Sequence, residues 1–207
     1  EALVATTSIW KKENIRPDSI RVTLGKYGEV YDTLSQHAQG YPSEAELQDL
    51  VMSGQPGYGM ASVGTGRSTE GSDAIIDLLE AEDERPLWIS VWGGANTLAQ
   101  ALYDIRETRS EAEAERLISK LRVYTISDQD DSGIWMRREF PGLFYIVSPG
   151  EYGRSTWTAI THGFPGFEDH ISNQWIAENI QQDQGPLGAR YPDVVWGMEG
   201  DTPAYLS

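Results

Sequence analysis

The chain has 207 residues, enough for one sizeable core, and periodic segments run end to end without a linker-like gap, so a single domain over 1–207 is expected. Thirty-two acidic against sixteen basic residues give a formal charge of −16, which repels phosphate backbones and anionic lipid and leaves cations, neutral sugars or basic partners as ligands. The absence of cysteine excludes disulfides, thiolate metal sites and a cysteine nucleophile.

No apolar run is long enough to cross a membrane as a helix, and the chain opens on Glu1 directly before a strand-like "ALVATT", which reads as a start inside a fold. After that buried strand, "IWKKENIRP" is a polar loop ending in Pro17, a good first-turn residue for a helix. Ile20, Leu24, Tyr27, Tyr31 and Leu34 then fall at helical spacing within 18–38. Ser43 and Glu46 form a capping box for a short helix expected to run through Met52. The glycine-rich stretch 53–72 shows no apolar period and reads as a long loop, most simply a flexible flap, before the helix "DAIIDLLEAE".

"PLWISVW" is a second buried strand, "GGAN" a tight turn, and "TLAQALYDIRET" a helix with Asn96 as its expected cap. The unit then repeats. Ser110 and Glu113 cap a helix through Leu121, "RVYTIS" is a strand, and "LFYIVS" is another after "IWMRREF". Short apolar strands alternating with helices predict an α/β, Rossmann-like, mostly parallel sheet with helices on both faces. In such sheets ligands sit beyond the carboxyl ends of the strands, which selects loops 7–16, 92–97, 127–133, 148–157 and the tail "WGMEGDTP" carrying Glu199.

One of these loops, "DQDDSGIWMRRE" at 128–139, puts Asp128, Asp130, Ser132, Gly133 and Glu139 at the spacing of an EF-hand calcium loop. A strand, not an entering helix, precedes it, which argues against that motif. Two readings stay open: an acidic turn capping a helix through Asp131 or Ser132, or a ligand-facing loop in which Asp128, Asp130 and Asp131 hold a cation or sugar hydroxyls. Trp10, Trp92, Trp135 and Trp157 fall in or beside the same set of loops; core packing is the simpler explanation for any one of them, and as a group they favour a flat or saccharide-like ligand. His37, His162 and His170 lack metal spacing, and "GTGRSTEGS" lacks the strand and lysine of a phosphate loop.

"VWGGANTLAQAL" is similar to the glycine turn and helix of nucleoside hydrolases. With "ATTSIW", "YTISDQDDSGIW" and "EGDTP" the whole chain resembles the nucleoside-hydrolase-like domain of a bacterial and fungal family of cellulose-binding proteins. The resemblance implies a Rossmann-like domain, calcium-dependent hydrolysis of an N-ribosyl-type glycosidic bond, and a secreted or periplasmic location. It further implies calcium ligation by the Asn96 carbonyl and by Asp201, with the water-activating aspartates expected before Glu1. Thr97 replaces the family's asparagine, Gly200 stands where a histidine is common, and "TTSIWKK" lacks the sugar-binding asparagine. Those departures move the expected ligand from nucleosides towards a small glycoside or saccharide, with a non-catalytic cellulose-binding domain as the alternative. Self-association is left open.

Overall fold

The computed structural model describes residues 1–147 and 166–195, and the chain divides into two compact units: 1–17 with 51–149, and 18–50 with 150–207. No helix among the described residues is long and apolar enough to cross a membrane.

The first unit carries two parallel sheets. Strand β1 (Leu3–Ala5) pairs with β2 (Val51–Ser53), Leu3 opposite Val51. Strands β3 (Leu87–Val91), β4 (Leu121–Thr125) and β5 (Phe144–Val147) lie side by side in chain order, Leu87 opposite Leu121 and Arg122 opposite Phe144. Helices flank these sheets as the alternating pattern predicts. They are, in chain order after the first three described below, α4 (Glu70–Glu80), α5 (Asn96–Thr108), α6 (Glu111–Ser119) and α7 (Ser132–Glu139).

The core of this unit lies where these helices meet β3 and β4. Leu79 of α4, Leu102 and Ile105 of α5, Leu117 of α6 and Met136 of α7 close over Leu121 and Val123, all without solvent exposure. Helix α5 is buried from its first residue through Leu102, which sets its amino end at the carboxyl ends of the strands. On the opposite face of the three-stranded sheet the alternate residues Trp88, Phe144 and Ile146 are exposed, with Trp88 and Phe144 edge to face at 5.9 Å and Arg122 over the Phe144 ring.

In the second unit the expected run of helix over 18–38 is divided into α1 (Pro17–Gly28) and α2 (Tyr31–His37). Tyr27 and Tyr31 still meet edge to face, and each hydroxyl donates to the backbone of the following turn, at Pro42 and Tyr41. The Ser43–Glu46 capping box forms and starts α3 (Glu44–Asp49). That helix stops short of Met52, because Val51 is drawn into a buried strand position beside β1 and a β-branched residue there gains more from sheet packing than from a last helical turn. Ile176, which is fully buried, lies among the short helical segments Glu168–Ile171, Asn173–Ile176, Ala177–Gln181 and Gly185–Gly188 of this unit.

The glycine-rich stretch is not the loose flap that its composition suggests. Gln55 is fully buried and uses its whole hydrogen-bonding capacity: its backbone N–H donates to Thr97 Oγ1, its Nε2 donates to the carbonyls of Ser62 and Arg67, and its Oε1 accepts from Thr69. Gln100 of α5 holds the same loop from the side, accepting from the Gly64 N–H at 2.8 Å and donating to its carbonyl at 3.1 Å. Glycine serves here as backbone geometry: Gly59 and Gly66 sit at φ +61° and +72°, where a side chain is strained. Gln55→Ala removes the three side-chain hydrogen bonds to Ser62, Arg67 and Thr69 and leaves a hole at a fully buried position, so denaturant unfolding should show a loss of about 2–4 kcal/mol. A loss below about 0.5 kcal/mol would mean that the loop is not held through this side chain.

Candidate functional site

Among the described residues β1–β2 and β3–β4–β5 are two separate parallel sheets, and open α/β sheets bind ligands beyond the carboxyl ends of their strands. The segments after β1 and β3 meet there, the Gly94 N–H donating to the Thr7 carbonyl at 2.7 Å. We refer to the strand-end loops around this point as the rim.

The loop after β4 supplies most of the rim's polar contacts. Asp128 forms a two-pronged ion pair with Arg137 of α7, 2.8 and 2.7 Å, and the same guanidinium lies 5.0 Å from the centre of the Tyr145 ring. The EF-hand reading fails on this geometry. The residue at its twelfth position, Glu139, is at the far end of α7 and pairs with Arg106 at 3.3 Å. Gly133 is the tight point of the arrangement, since a Cβ there would lie 2.5 Å from Asp128 Oδ1 and 2.7 Å from the Tyr145 hydroxyl.

Asp131 stands at the N-cap of α7 as the capping reading has it, but its side chain does not cap. Its Oδ1 accepts instead from the Met60 N–H at 2.8 Å and so ties the loop after β2 to the loop after β4. Between the two lies Gln129, a residue that the search for charged and aromatic groups passes over. Its Oε1 accepts from the Ile9 N–H at 3.3 Å, its Nε2 donates to the Trp92 carbonyl at 2.8 Å, and its own carbonyl accepts from the Tyr58 hydroxyl. One residue thus touches the loops after β1, β2 and β3.

Asp130 is the member whose carboxylate is not fully used. It is 6% exposed, its Oδ1 accepts from the Ser132 N–H at 2.9 Å, and Oδ2 has no hydrogen-bond partner. A Cβ at Gly94 would lie 2.5 Å from that Oδ2 and 3.3 Å from Thr7 Oγ1, another buried oxygen without a partner. Glycine at this position therefore lets the Asp130 and Thr7 oxygens pack closely against the backbone, with no room for a side chain. Burial pushes the Asp130 carboxyl above the usual carboxylate range, with the backbone amide and hydroxyl of Ser132 and the Ala95 amide acting in the opposite direction.

The remaining expected site residues separate. Asn96 is not the cap of α5 but its first residue, with Ala95 in the cap position; fully buried, it donates from Nδ2 to the Gly57 carbonyl at 2.7 Å and leaves Oδ1 without a partner. Trp10 is 70% exposed at the tip of the loop after β1. Trp92 is half-buried, edge to face with Tyr124 at 6.3 Å. Trp135 does not join the rim: it packs on Phe140 and Arg106, at the carboxyl end of α5, about 15–20 Å along that helix from Asn96. Its place in the helical pattern of α7 makes it a core residue. Glu199, Asp201 and the loop 148–157 lie outside the described residues, and those described contain no group of three or more acidic or histidine side chains placed to share a metal.

The sign of the Asp130 shift gives a stability test. An acid whose folded pKa is raised favours folding fully below its unfolded pKa of about 3.9, and that contribution is lost as pH rises through the folded value. Asp130→Asn removes this titration while keeping the acceptor for Ser132, so the variant should be relatively more stable at neutral pH and lose less stability between mild acid and neutrality. Thermal melts across pH 4–7.5 that superimpose in shape for the two proteins would contradict the assignment.

The family model described as "Cellulose-binding Sde182, nucleoside hydrolase-like domain" matches residues 1–207. Among solved structures, the chain is similar to a nucleoside hydrolase-related hypothetical protein from Saccharophagus degradans that is associated with carbohydrate metabolism, with 39% identity and a TM-score of 0.82. The alignment covers 100% of this chain and 46% of that one, so the chain spans about half the length of its solved relative. No curated protein matches. The α/β fold, the parallel strands flanked by helices and the family match over the full length agree: the chain belongs to the cellulose-binding Sde182 family, as its nucleoside hydrolase-like domain.

Proposed function

We propose that the rim binds a neutral saccharide or glycoside, and that this domain serves as the sugar-recognising part of an exported protein. The observation that carries the reading is that the loops after β1, β2 and β3 are tied together by Gln129 of the loop after β4, at the strand ends beyond which α/β sheets take their ligands. The net charge of −16 supports an uncharged ligand over an anionic one. The printed family description, cellulose binding, and the carbohydrate association of the solved relative support the same class.

Recognition fits the geometry of the loop after β4 better than acid–base chemistry does. Asp128 is committed to Arg137 and Asp131 to the Met60 amide, so neither is poised to move a proton, and Asp130 is enclosed. Their contribution is to fix the rim.

A second reading, hydrolysis of an N-ribosyl-type bond assisted by calcium, is favoured by the kind of atoms left without partners. Thr7 Oγ1, Asn96 Oδ1 and Asp130 Oδ2 are all hard oxygen donors, the type calcium selects, and the residues present fit the ion to that extent. In this reading the Asn96 carbonyl and Asp201 hold it. Calcium, when bound in such a site, lowers the pKa of a coordinated water.

Calorimetric titration of the protein with β-1,4-glucose oligomers and with nucleosides, each in calcium and in chelator, tests both readings, with released reducing sugar assayed in parallel. Saturable oligosaccharide binding without sugar release supports recognition. Calcium-dependent release of ribose supports the second reading, and no binding by either ligand class contradicts both.

A further inference from the structure

Parallel strands are ordinarily covered on both faces of their sheet. On one face of the three-stranded sheet, Leu87, Ile89, Leu121, Val123 and Tyr145 turn into the core formed with α4 to α7. The other face carries two cross-strand rows, Trp88–Arg122–Phe144 and Ser90–Tyr124–Ile146. Tyr124 is half-buried, edge to face with Trp92, but Trp88, Phe144 and Ile146 stay 57%, 45% and 43% exposed. A contiguous apolar patch of this kind, unlike a scattered side chain, marks a contact surface.

The dimensions and charge of the face select what covers it. Two strand spacings of about 4.8 Å set its width near 10 Å, and the four residues of β5 give it a length of about 13 Å. One α-helix, about 10 Å across, fits that footprint over about two to three turns. The patch falls far short of the roughly 800 Å² per partner that separate proteins bury in a stable complex, so its occupant is a tethered one. In a chain of net charge −16 the face has no carboxylate and a single cation, Arg122. That guanidinium lies 5.2 Å from the centre of the Phe144 ring and donates to the Ser119 and Leu121 carbonyls, without a carboxylate partner among the described residues.

We propose that this face is the docking surface of an amphipathic helix of the same polypeptide, outside residues 1–207. Its apolar stripe covers Trp88, Phe144 and Ile146, and a carboxylate beside that stripe meets Arg122. The solved relative extends well past the 46% of its length that this chain matches, which gives that protein chain from which such a helix can come. The proposal is independent of what the rim binds.

Hydroxyl-radical footprinting of the full-length protein tests it. Oxidation of Trp88 and Phe144 should be suppressed by about tenfold or more on going from the urea-unfolded to the folded state, whereas side chains left about half exposed are suppressed by only about twofold. A photo-crosslinking benzophenone amino acid at position 144 should join this face to a segment of the same molecule outside residues 1–207. Twofold suppression at both residues would overturn the proposal, and so would crosslinks confined to residues 1–207 or formed between molecules.

Discussion

The Gln129 side chain satisfies two backbone groups that no strand ladder reaches, accepting from the Ile9 N–H and donating to the Trp92 carbonyl, while its own carbonyl takes the Tyr58 hydroxyl. Backbone groups left unpaired where chains turn out of a sheet are costly unless a side chain or water meets them. A single amide meets two of them, from different strands. The rim depends on that arrangement, since among the described residues β1 and β3 share no ladder, and the Thr7–Gly94 bond adds a further tie between their ends.

The acidity of the loop after β4 acquires its meaning from the same geometry. Its carboxylates are distributed: Asp128 fastens the loop to α7, Asp131 fastens the loop after β2, and Asp130 is enclosed beside Thr7 with one oxygen unused. Three neighbouring carboxylates repel one another unless each finds its own compensation. Here that compensation comes from a guanidinium, a loop amide, and the amides at the start of α5 and α7. The strand-end edge is therefore held together by side chains and carries little uncompensated charge.

Much of the fold was legible in the sequence because strands and helices here follow their periods closely. The capping pairs at Ser43 and Ser110 and the strands β3, β4 and β5 appear where residue type places them, although alternate residues of β3 and β5 stay exposed where continuous burial is expected. Other features depended on long-range partners. Val51 belongs to a strand because Leu3 lies beside it, and no local signal carries that. Gln55 and Gln129 are ordinary residues in sequence, and their importance comes from acceptors and donors many residues away. Trp135 shows the same dependence: beside an acidic loop in sequence, it is half-buried in α7 and packs against the core through Phe140.

That the loop after β4 holds the rim together through Gln129 is tested most directly by native-state amide hydrogen exchange on Gln129→Ala. Exchange at Ile9 and Lys11 should quicken together, because the turn they close loses its anchor, while the amides of the β3–β4–β5 ladder keep their protection. Unchanged exchange across residues 8–12 would show that the turn stands without Gln129, and the account of the rim would fail.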